Sequence, residues 1–183
     1  MRRFTWVAAA AALLLATWAR PALRAQDTSK RPVNDRLFAA AAGVAGLAEV
    51  SCSRLAEARA KDEAIRKFAR QMIEDHTKAN QELTSLASGK AIVLPTTLDL
   101  KDQAAVDRLD GLRGDDFDRC YAKQQYGAHM EALALFEAEA ERGQDRDLKA
   151  WASKTLPTLK EHLKTIKQIC EGHEKGESKS ESK

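Results

Sequence analysis

The sequence predicts an all-α protein, a four-helix bundle with a short extra helix in its middle connection. Four long segments place apolar residues at the spacing of one helix face, and no segment alternates like a strand. Two connections, near Lys61 and Gly143, are short enough to make antiparallel helix hairpins. The longer connection between the hairpins leaves two paths open, because it could continue the up-down order or cross the bundle.

Capping residues and glycines set the predicted helix boundaries. Asn34 or Asp35 begins the first helix, Asp62 caps the second, and Gly143 ends the fourth. Pro157 falls inside the last helix and is expected to kink it, since proline removes one hydrogen bond of the ladder. The predicted helices cover about residues 35–60, 63–88, 102–112, 115–142 and 147–171.

The first 25 residues are typical of a secretory signal peptide. Arg2 and Arg3 precede an apolar run from Trp6 to Trp18, and Ala25 is the predicted cleavage point. An uncleaved membrane anchor is the alternative, but the run is shorter than the roughly 20 residues that a spanning helix needs. We therefore expect secretion across the inner membrane, into the periplasm or the outer envelope, with no transmembrane segment after signal removal.

Removal of that segment changes the net charge of the chain. The whole sequence has 30 Lys and Arg against 27 Asp and Glu, which gives +3. The first 25 residues hold four arginines and no acid, so the remainder carries 26 − 27 = −1. A nucleic-acid partner is disfavoured, because such proteins present a basic face. A homo-oligomer stays open, and no protein partner is indicated.

The rest of the chain divides into three parts. Residues 26–34 are polar and are predicted to be a flexible lead-in. Residues 35–171 form the bundle, which is long enough for one domain with its own core. Residues 172–183 hold too few apolar side chains to bury any surface, and they are predicted to be a disordered polar tail.

One glutamate and three histidines, Glu49, His76, His129 and His162, each fall on a different long helix. If both hairpin turns lie at the same end, a rise of 1.5 Å per residue places the four within roughly 8 Å of one level. Imidazole and carboxylate bind zinc, copper and other transition metals. The spacing therefore predicts one metal ion in the bundle interior. A metal-free hydrogen-bond network of the same side chains is the alternative.

Several polar residues near the histidines are candidates for hydrogen bonds that orient the metal ligands. Metal-bound histidines usually donate their second ring N–H to an acceptor. Asn80 follows His76 by one helical turn, and Asp118, Tyr121 and Gln125 precede His129 along its own helix. Cys52 follows Glu49 by three residues and could approach as a soft ligand.

Two further cysteines, Cys120 and Cys170, fall at similar depths on consecutive helices. A disulfide between them is geometrically feasible if their Cα atoms come within about 7 Å. Two buried free thiols are the other alternative, and the sequence does not decide between them. No CxxC motif accompanies these residues, so a thioredoxin-like activity has no support.

Three sequence strings resemble the exported bacterial family called domain of unknown function 4142. They are FARQMIEDHTKAN at 68–80, FDRCYAKQQYGAH at 117–129 and KTLPTLKEHL at 154–163. The resemblance covers about residues 35–170 and implies a ferritin-like four-helix bundle in the periplasm or envelope, with no known activity. It also implies that the family's histidines and glutamate correspond to His76, His129, His162 and Glu49.

Ferritin chemistry does not follow from this resemblance. Di-iron bundles take Glu-x-x-His from each of two helices. Here Ile73, Tyr126 and Leu159 stand three residues before the histidines. A di-iron oxidase or iron store is therefore disfavoured, and the sequence contains no catalytic motif. Two hypotheses remain: a bundle that binds one transition metal, and a metal-free envelope stress or interaction protein.

Overall fold

The computed structural model describes residues 31–180, with side chains described as far as Glu174. This part of the chain contains five helices and no strand: α1 (Asp35–Arg59), α2 (Glu63–Ser88), α3 (Leu100–Asp110), α4 (Gly114–Arg142) and α5 (Arg146–Ser180). The all-α fold and the short extra helix in the middle connection are thus confirmed. The signal-peptide prediction and residues 26–30 of the lead-in lie outside the described residues.

The helices begin close to the predicted capping residues. The Asn34 side chain accepts hydrogen bonds from two N–H groups of the first turn of α1, and Asp62 does the same for one N–H of α2. Asp99, which was not predicted as a cap, begins α3 by accepting from the N–H of Asp102. Gly114 opens α4 at a φ of +59°, a conformation that favours glycine. Local hydrogen bonding therefore accounts for most of the helix starts.

The two hairpin turns lie at opposite ends of the bundle. At the Lys61 end, the Asp118 carboxylate near the start of α4 accepts from the N–H groups of Lys61 and Asp62. At the Gly143 end, the Asp35 carboxylate at the start of α1 accepts from Gln144 N–H. The assumption of a shared end was therefore wrong. The long connection with α3 travels the length of the bundle, so α1 and α5 run one way and α2 and α4 the other.

Apolar side chains fill both ends of the bundle interior. The Lys61-end cluster contains Phe68, Met72, Leu109, Phe117 and Ile166, each no more than 2% exposed. The Gly143-end cluster is built around Phe38, Phe136 and Trp151. The two clusters are separate, and the buried polar side chains of Glu49, His76, His129 and His162 belong to neither. The bundle therefore has a polar middle between two apolar ends.

Helix α5 is longer than the sequence predicted. Its helical backbone continues through Gly172 to Ser180, where a disordered tail was expected. The tail is polar, but it contains no proline, and glycine costs only about 1 kcal/mol in a helix. Pro157 lies inside α5, and the helix continues on both sides of it.

Among residues 31–180, α1 is the one helix long and apolar enough to cross a membrane. Nine of its residues are buried inside the bundle, among them Phe38 and Cys52. Burial of that face accounts for its apolar composition, since a core helix also passes a test of length and hydropathy.

Candidate metal centre

The four predicted residues meet at one level because each lies near the middle of its helix. His129 is the sixteenth of 29 residues in α4, and His76 is the fourteenth of 26 in α2. Glu49 is the fifteenth of 25 residues in α1. A residue at mid-length keeps its level when its helix is inverted, so the opposite turns do not separate the set. The predicted layer therefore forms despite the wrong assumption about the turns.

Three imidazole rings form the centre of this layer. One ring nitrogen from each of His76, His129 and His162 lies within 4.8 Å of those from the other two. The ring centroids are 5.4 to 5.7 Å apart, and none of the three residues is more than 7% exposed. The Phe68 ring packs against His129 and His162 from the Lys61 end. The layer is thus closed to bulk water on that side.

Each histidine directs one nitrogen outward to an acceptor. His76 Nδ1 lies 2.7 Å from Glu49 Oε2, and His162 Nε2 lies 2.9 Å from Asp75 Oδ2. His129 Nδ1 lies 2.9 Å from the carbonyl oxygen of Gln125, with Glu49 Oε1 at 3.4 Å. A nitrogen that faces a carboxylate or carbonyl oxygen carries the proton. These contacts therefore assign the N–H of every ring to its outward side.

The second nitrogen of each ring is left without a conventional partner. His76 Nε2 is buried and makes no hydrogen bond, and His129 Nε2 faces His162 Nδ1 at 3.4 Å. With the protons on the outward nitrogens, both atoms of that contact present lone pairs, and His76 Nε2 presents one when its ring is neutral. Two facing lone pairs repel each other unless a proton or a cation lies between them. The arrangement is suited to a cation.

A cavity of about 40 Å³ adjoins the histidines. His76 and His162 line it, together with Asn80 and Trp151. The Trp151 Nε1–H is buried without a hydrogen-bond partner. A water molecule needs a cavity of at least about 10–15 Å³ and some polar neighbours. The space and its lining therefore suit an ion with a small extra ligand such as water.

Burial and mutual charge set the protonation of the layer. Burial alone would raise the pKa of Glu49, but the charges of His76 and His129 and the His76 hydrogen bond lower it to about 2. Burial lowers the pKa of both His129 and His162, more than their acceptors raise it. The pKa of His76 is raised, because the Glu49 charge and hydrogen bond outweigh burial. Glu49 is thus ionised, while His129 and His162 are neutral.

Asp75 is the functional neighbour that sequence reasoning missed. It directly precedes His76, so helix geometry turns its side chain about 100° away from that histidine. Its carboxylate meets His162 on α5 instead, and its side chain is 34% exposed. The adjacent Asp-His pair was a weak signal, because only the packing of α2 against α5 shows which histidine the aspartate serves.

The four side chains predicted to support the ligands have different positions in the structure. Gln125 contacts His129, but through its backbone carbonyl. Asn80 lines the 40 Å³ cavity and occupies the space that a Cβ on Gly46 would need, 2.0 Å from such an atom. Asn80 therefore lines the same cavity as His76 and His162.

Two of those four do not contact the histidines. Tyr121 is paired with Ser53 through a hydrogen bond of 2.9 Å between their hydroxyls. Asp118 accepts from the backbone at the Lys61 end of the bundle. The prediction that Asp118 supports a ligand was wrong, because Asp118 lies 11 residues before His129, which is about 16 Å along the helix.

The cysteines are free thiols in the structure. Cys120 and Cys170 both pack against the Lys61-end cluster without forming the disulfide that was one of the two alternatives. Burial raises the pKa of Cys52 to about 12, and the nearby Glu49 charge adds to the effect. Because metals bind the thiolate form, Cys52 is a poor ligand here.

Comparisons with known proteins agree with this fold. The family model called domain of unknown function (DUF4142) matches residues 20–169. The solved structure of a DUF305 protein from Streptomyces coelicolor, inferred to be secreted, is similar with a TM-score of 0.64. That match covers 76% of this chain and 91% of the other at 17% identity, which supports the fold alone. No curated protein matches this chain.

Proposed function

Because this chain belongs to the DUF4142 family, whose function is unknown, we propose a function from the geometry of its histidine layer. The protein binds one transition-metal ion, zinc or copper, through His76 Nε2, His129 Nε2 and His162 Nδ1. The observation that carries this proposal is the 3.4 Å approach of two buried imidazole nitrogens whose outward partners are both acceptors.

The distance between those nitrogens fits a shared ion. Zinc binds histidine nitrogens at about 2.0–2.1 Å in tetrahedral geometry, which places neighbouring donor atoms roughly 3.3–3.4 Å apart. The observed 3.4 Å falls at that value. Neutral imidazoles are also the ligand form that zinc and copper accept. Both His129 and His162 are neutral by the direction of their pKa shifts.

Glu49 takes a different role in this proposal from the direct ligand that the sequence predicted. Both of its oxygens lie against outward ring nitrogens, at 2.7 Å from His76 and 3.4 Å from His129. Carboxylates in that position fix the ring orientation and increase the basicity of the ligand. Glu49 and Asp75 would thus hold the histidines, and a fourth position at the ion would be left for water in the adjoining cavity.

The competing metal-free hypothesis needs a proton where the proposal has an ion. A protonated His129 or His162 could donate across the 3.4 Å contact and give a buried polar network. Burial opposes that extra positive charge, since it lowers the pKa of both rings. His76 Nε2 would still have no partner. In the metal-bound layer, by contrast, the second nitrogen of each of the three rings binds the ion.

The place of action is proposed from the sequence and the family. A basic start followed by a short apolar run supports export across the inner membrane. The similar Streptomyces coelicolor protein is itself inferred to be secreted. We propose the periplasm or the outer envelope as the compartment in which the ion is bound.

Metal analysis of protein purified without a histidine tag tests the proposal. After reconstitution with zinc or copper and removal of excess ion, the wild-type protein should hold one equivalent. His129→Ala should lose the bound metal. His173→Ala is the control and should keep the metal, because His173 lies at the Lys61 end, near Asp62, outside the histidine layer. Circular dichroism checks that each variant is folded. Wild-type protein without stoichiometric metal, or folded His129→Ala that retains it, would contradict the proposal.

A further inference from the structure

A second cavity, of about 680 Å³, lies between α1, α3 and α4. Its walls are mainly small apolar side chains, such as Ala41, Ala45 and Ala48 on α1 and Ala128 on α4. Gly127 also lines it, and a Cβ added there would meet no atom within 4 Å. Small-molecule sites typically have volumes of 300–1,000 Å³ and mostly apolar walls. The cleft therefore has the size and lining of a ligand site.

Three residues that line this cleft have a side-chain oxygen without a hydrogen-bond partner. Gln125 is 2% exposed, and its side-chain Oε1 has no hydrogen-bond partner. Glu49 is 4% exposed, and its Oε1 has only the 3.4 Å approach of His129 Nδ1, which is already directed at the Gln125 carbonyl. Gln124 Oε1 is likewise buried without a partner. Buried acceptors of this kind are usually satisfied, so a bound hydrogen-bond donor would complete them.

The charges on the lining favour a cationic ligand. The lining of the cleft contains more acidic than basic side chains. It has four carboxylates (Glu49, Asp99, Asp102 and Glu131) and two lysines (Lys101 and Lys123). Lys101 is already paired with Glu131 at 3.1 Å. A molecule with an apolar chain and a donating, positively charged end would match both the walls and the unpaired acceptors.

We propose that this cleft binds an aliphatic primary amine, with its ammonium group at Glu49 and Gln125 and its chain along the small residues of α1 and α4. No histidine lines the cleft, so the amine would not contact the three metal ligands themselves. The two sites share Glu49, whose Oε2 holds His76 and whose Oε1 lies 3.4 Å from His129 Nδ1 without a hydrogen bond, so the amine would bind to that oxygen.

Titration calorimetry with n-octylamine and n-octanoate tests the proposal on the full protein without its signal segment. The amine should bind at one site, and octanoate should bind at least about tenfold more weakly, since it places a carboxylate against unpaired acceptors. Equal affinity for both probes, or no saturable binding of the amine, would overturn the proposal.

Two substitutions locate the site. Gly127→Leu fills the cleft and should weaken octylamine binding about tenfold or more. Gly172→Leu is the matched control, because that glycine also has open space around its Cβ position and lies outside the cleft. Gln125→Leu removes one acceptor of the cleft and should weaken octylamine binding. Unchanged amine affinity in folded Gly127→Leu would contradict the site.

The same titration in His162→Ala separates this inference from the proposed function. That variant should lose the metal and keep the amine, because His162 does not line the cleft. Wild-type protein that binds metal but no amine refutes the cleft site alone. Wild-type protein that binds the amine but no metal refutes the metal site alone.

Discussion

The ends of the bundle and its middle are built from different chemistry on the same helices. At the Gly143 end, Phe38 packs against Phe136 and Trp151 with ring centroids 5.2 and 6.0 Å apart. In the middle, the rings are imidazoles, and two of their nitrogens face each other at 3.4 Å. Aromatic packing stabilises a fold by itself, whereas buried polar groups cost free energy unless they are satisfied. The ends therefore hold the bundle together, and the proposed metal ion would satisfy the nitrogens of the middle.

The largest expected effect comes from breaking an apolar end. Phe38→Ala removes a ring that is 1% exposed and should lower the free energy of unfolding by about 3–5 kcal/mol. Urea denaturation measures this loss. Leu37→Ala, at a neighbouring position that is 68% exposed, should cost far less. The folded fraction of Phe38→Ala should still bind one equivalent of metal, and a complete loss of metal from folded protein would argue against separate roles.

Asp118 gives the next largest effect, and it distinguishes the end from the middle. Asp118→Ala leaves the N–H groups of Lys61 and Asp62 without their acceptor, and should cost about 1–3 kcal/mol of unfolding free energy. Metal affinity should stay within a factor of two or so of wild type, because Asp118 does not contact the histidines. A large fall in metal affinity with little loss of stability would restore the role that the sequence first indicated for this residue.

A substitution of Asp75 should reduce metal affinity and leave stability nearly unchanged, which is the reverse of the result expected for Asp118. Asp75→Asn weakens the acceptor behind His162 and should reduce metal affinity about 10–100-fold, as such outer partners commonly do. The unfolding midpoint of the metal-free protein should change little, since the Asp75 side chain is 34% exposed. Competition with a chromogenic chelator measures the affinity. Glu74→Gln, one residue earlier and exposed, is the control and should bind metal like wild type.

The last prediction concerns a carboxyl group that is buried at the Gly143 end. Burial, with the charge of Asp35 added, raises the pKa of Glu139 to about 7. The folded state then binds the proton more tightly than the unfolded state, so the contribution of this group to stability falls as pH rises from about 4.5 through 7. Glu139→Gln should therefore be stabilising at pH 8 and nearly neutral at pH 5, as thermal unfolding would show. A larger gain at pH 5 would contradict the assignment.

Much of this architecture could be predicted from local pattern. The caps at Asn34 and Asp62 and the spacing of apolar residues identify the helices, because helix formation depends on neighbours within a few residues. Glu49 and the three histidines could also be brought to one level by counting residues. That result did not depend on helix direction, since each position is close to the middle of its helix.

What could not be predicted depends on how helices pack. The path of the connection through α3 decides the direction of the second hairpin, and no local signal distinguishes a crossing from a return. The pairing of Asp75 with His162 joins α2 to α5 across 87 positions of sequence. The cleft lined by Gly127 exists because α1, α3 and α4 leave space between them, which a sequence of small residues does not reveal.

Anomalous diffraction from crystals of the metal-reconstituted protein tests the central claim most directly. The account predicts one strong peak about 2.0–2.2 Å from His76 Nε2, His129 Nε2 and His162 Nδ1, with Glu49 and Asp75 still bonded to the outward nitrogens. A peak bound by other residues would contradict it. So would metal-treated crystals with no peak in the layer and a hydrogen bond across the His129–His162 contact.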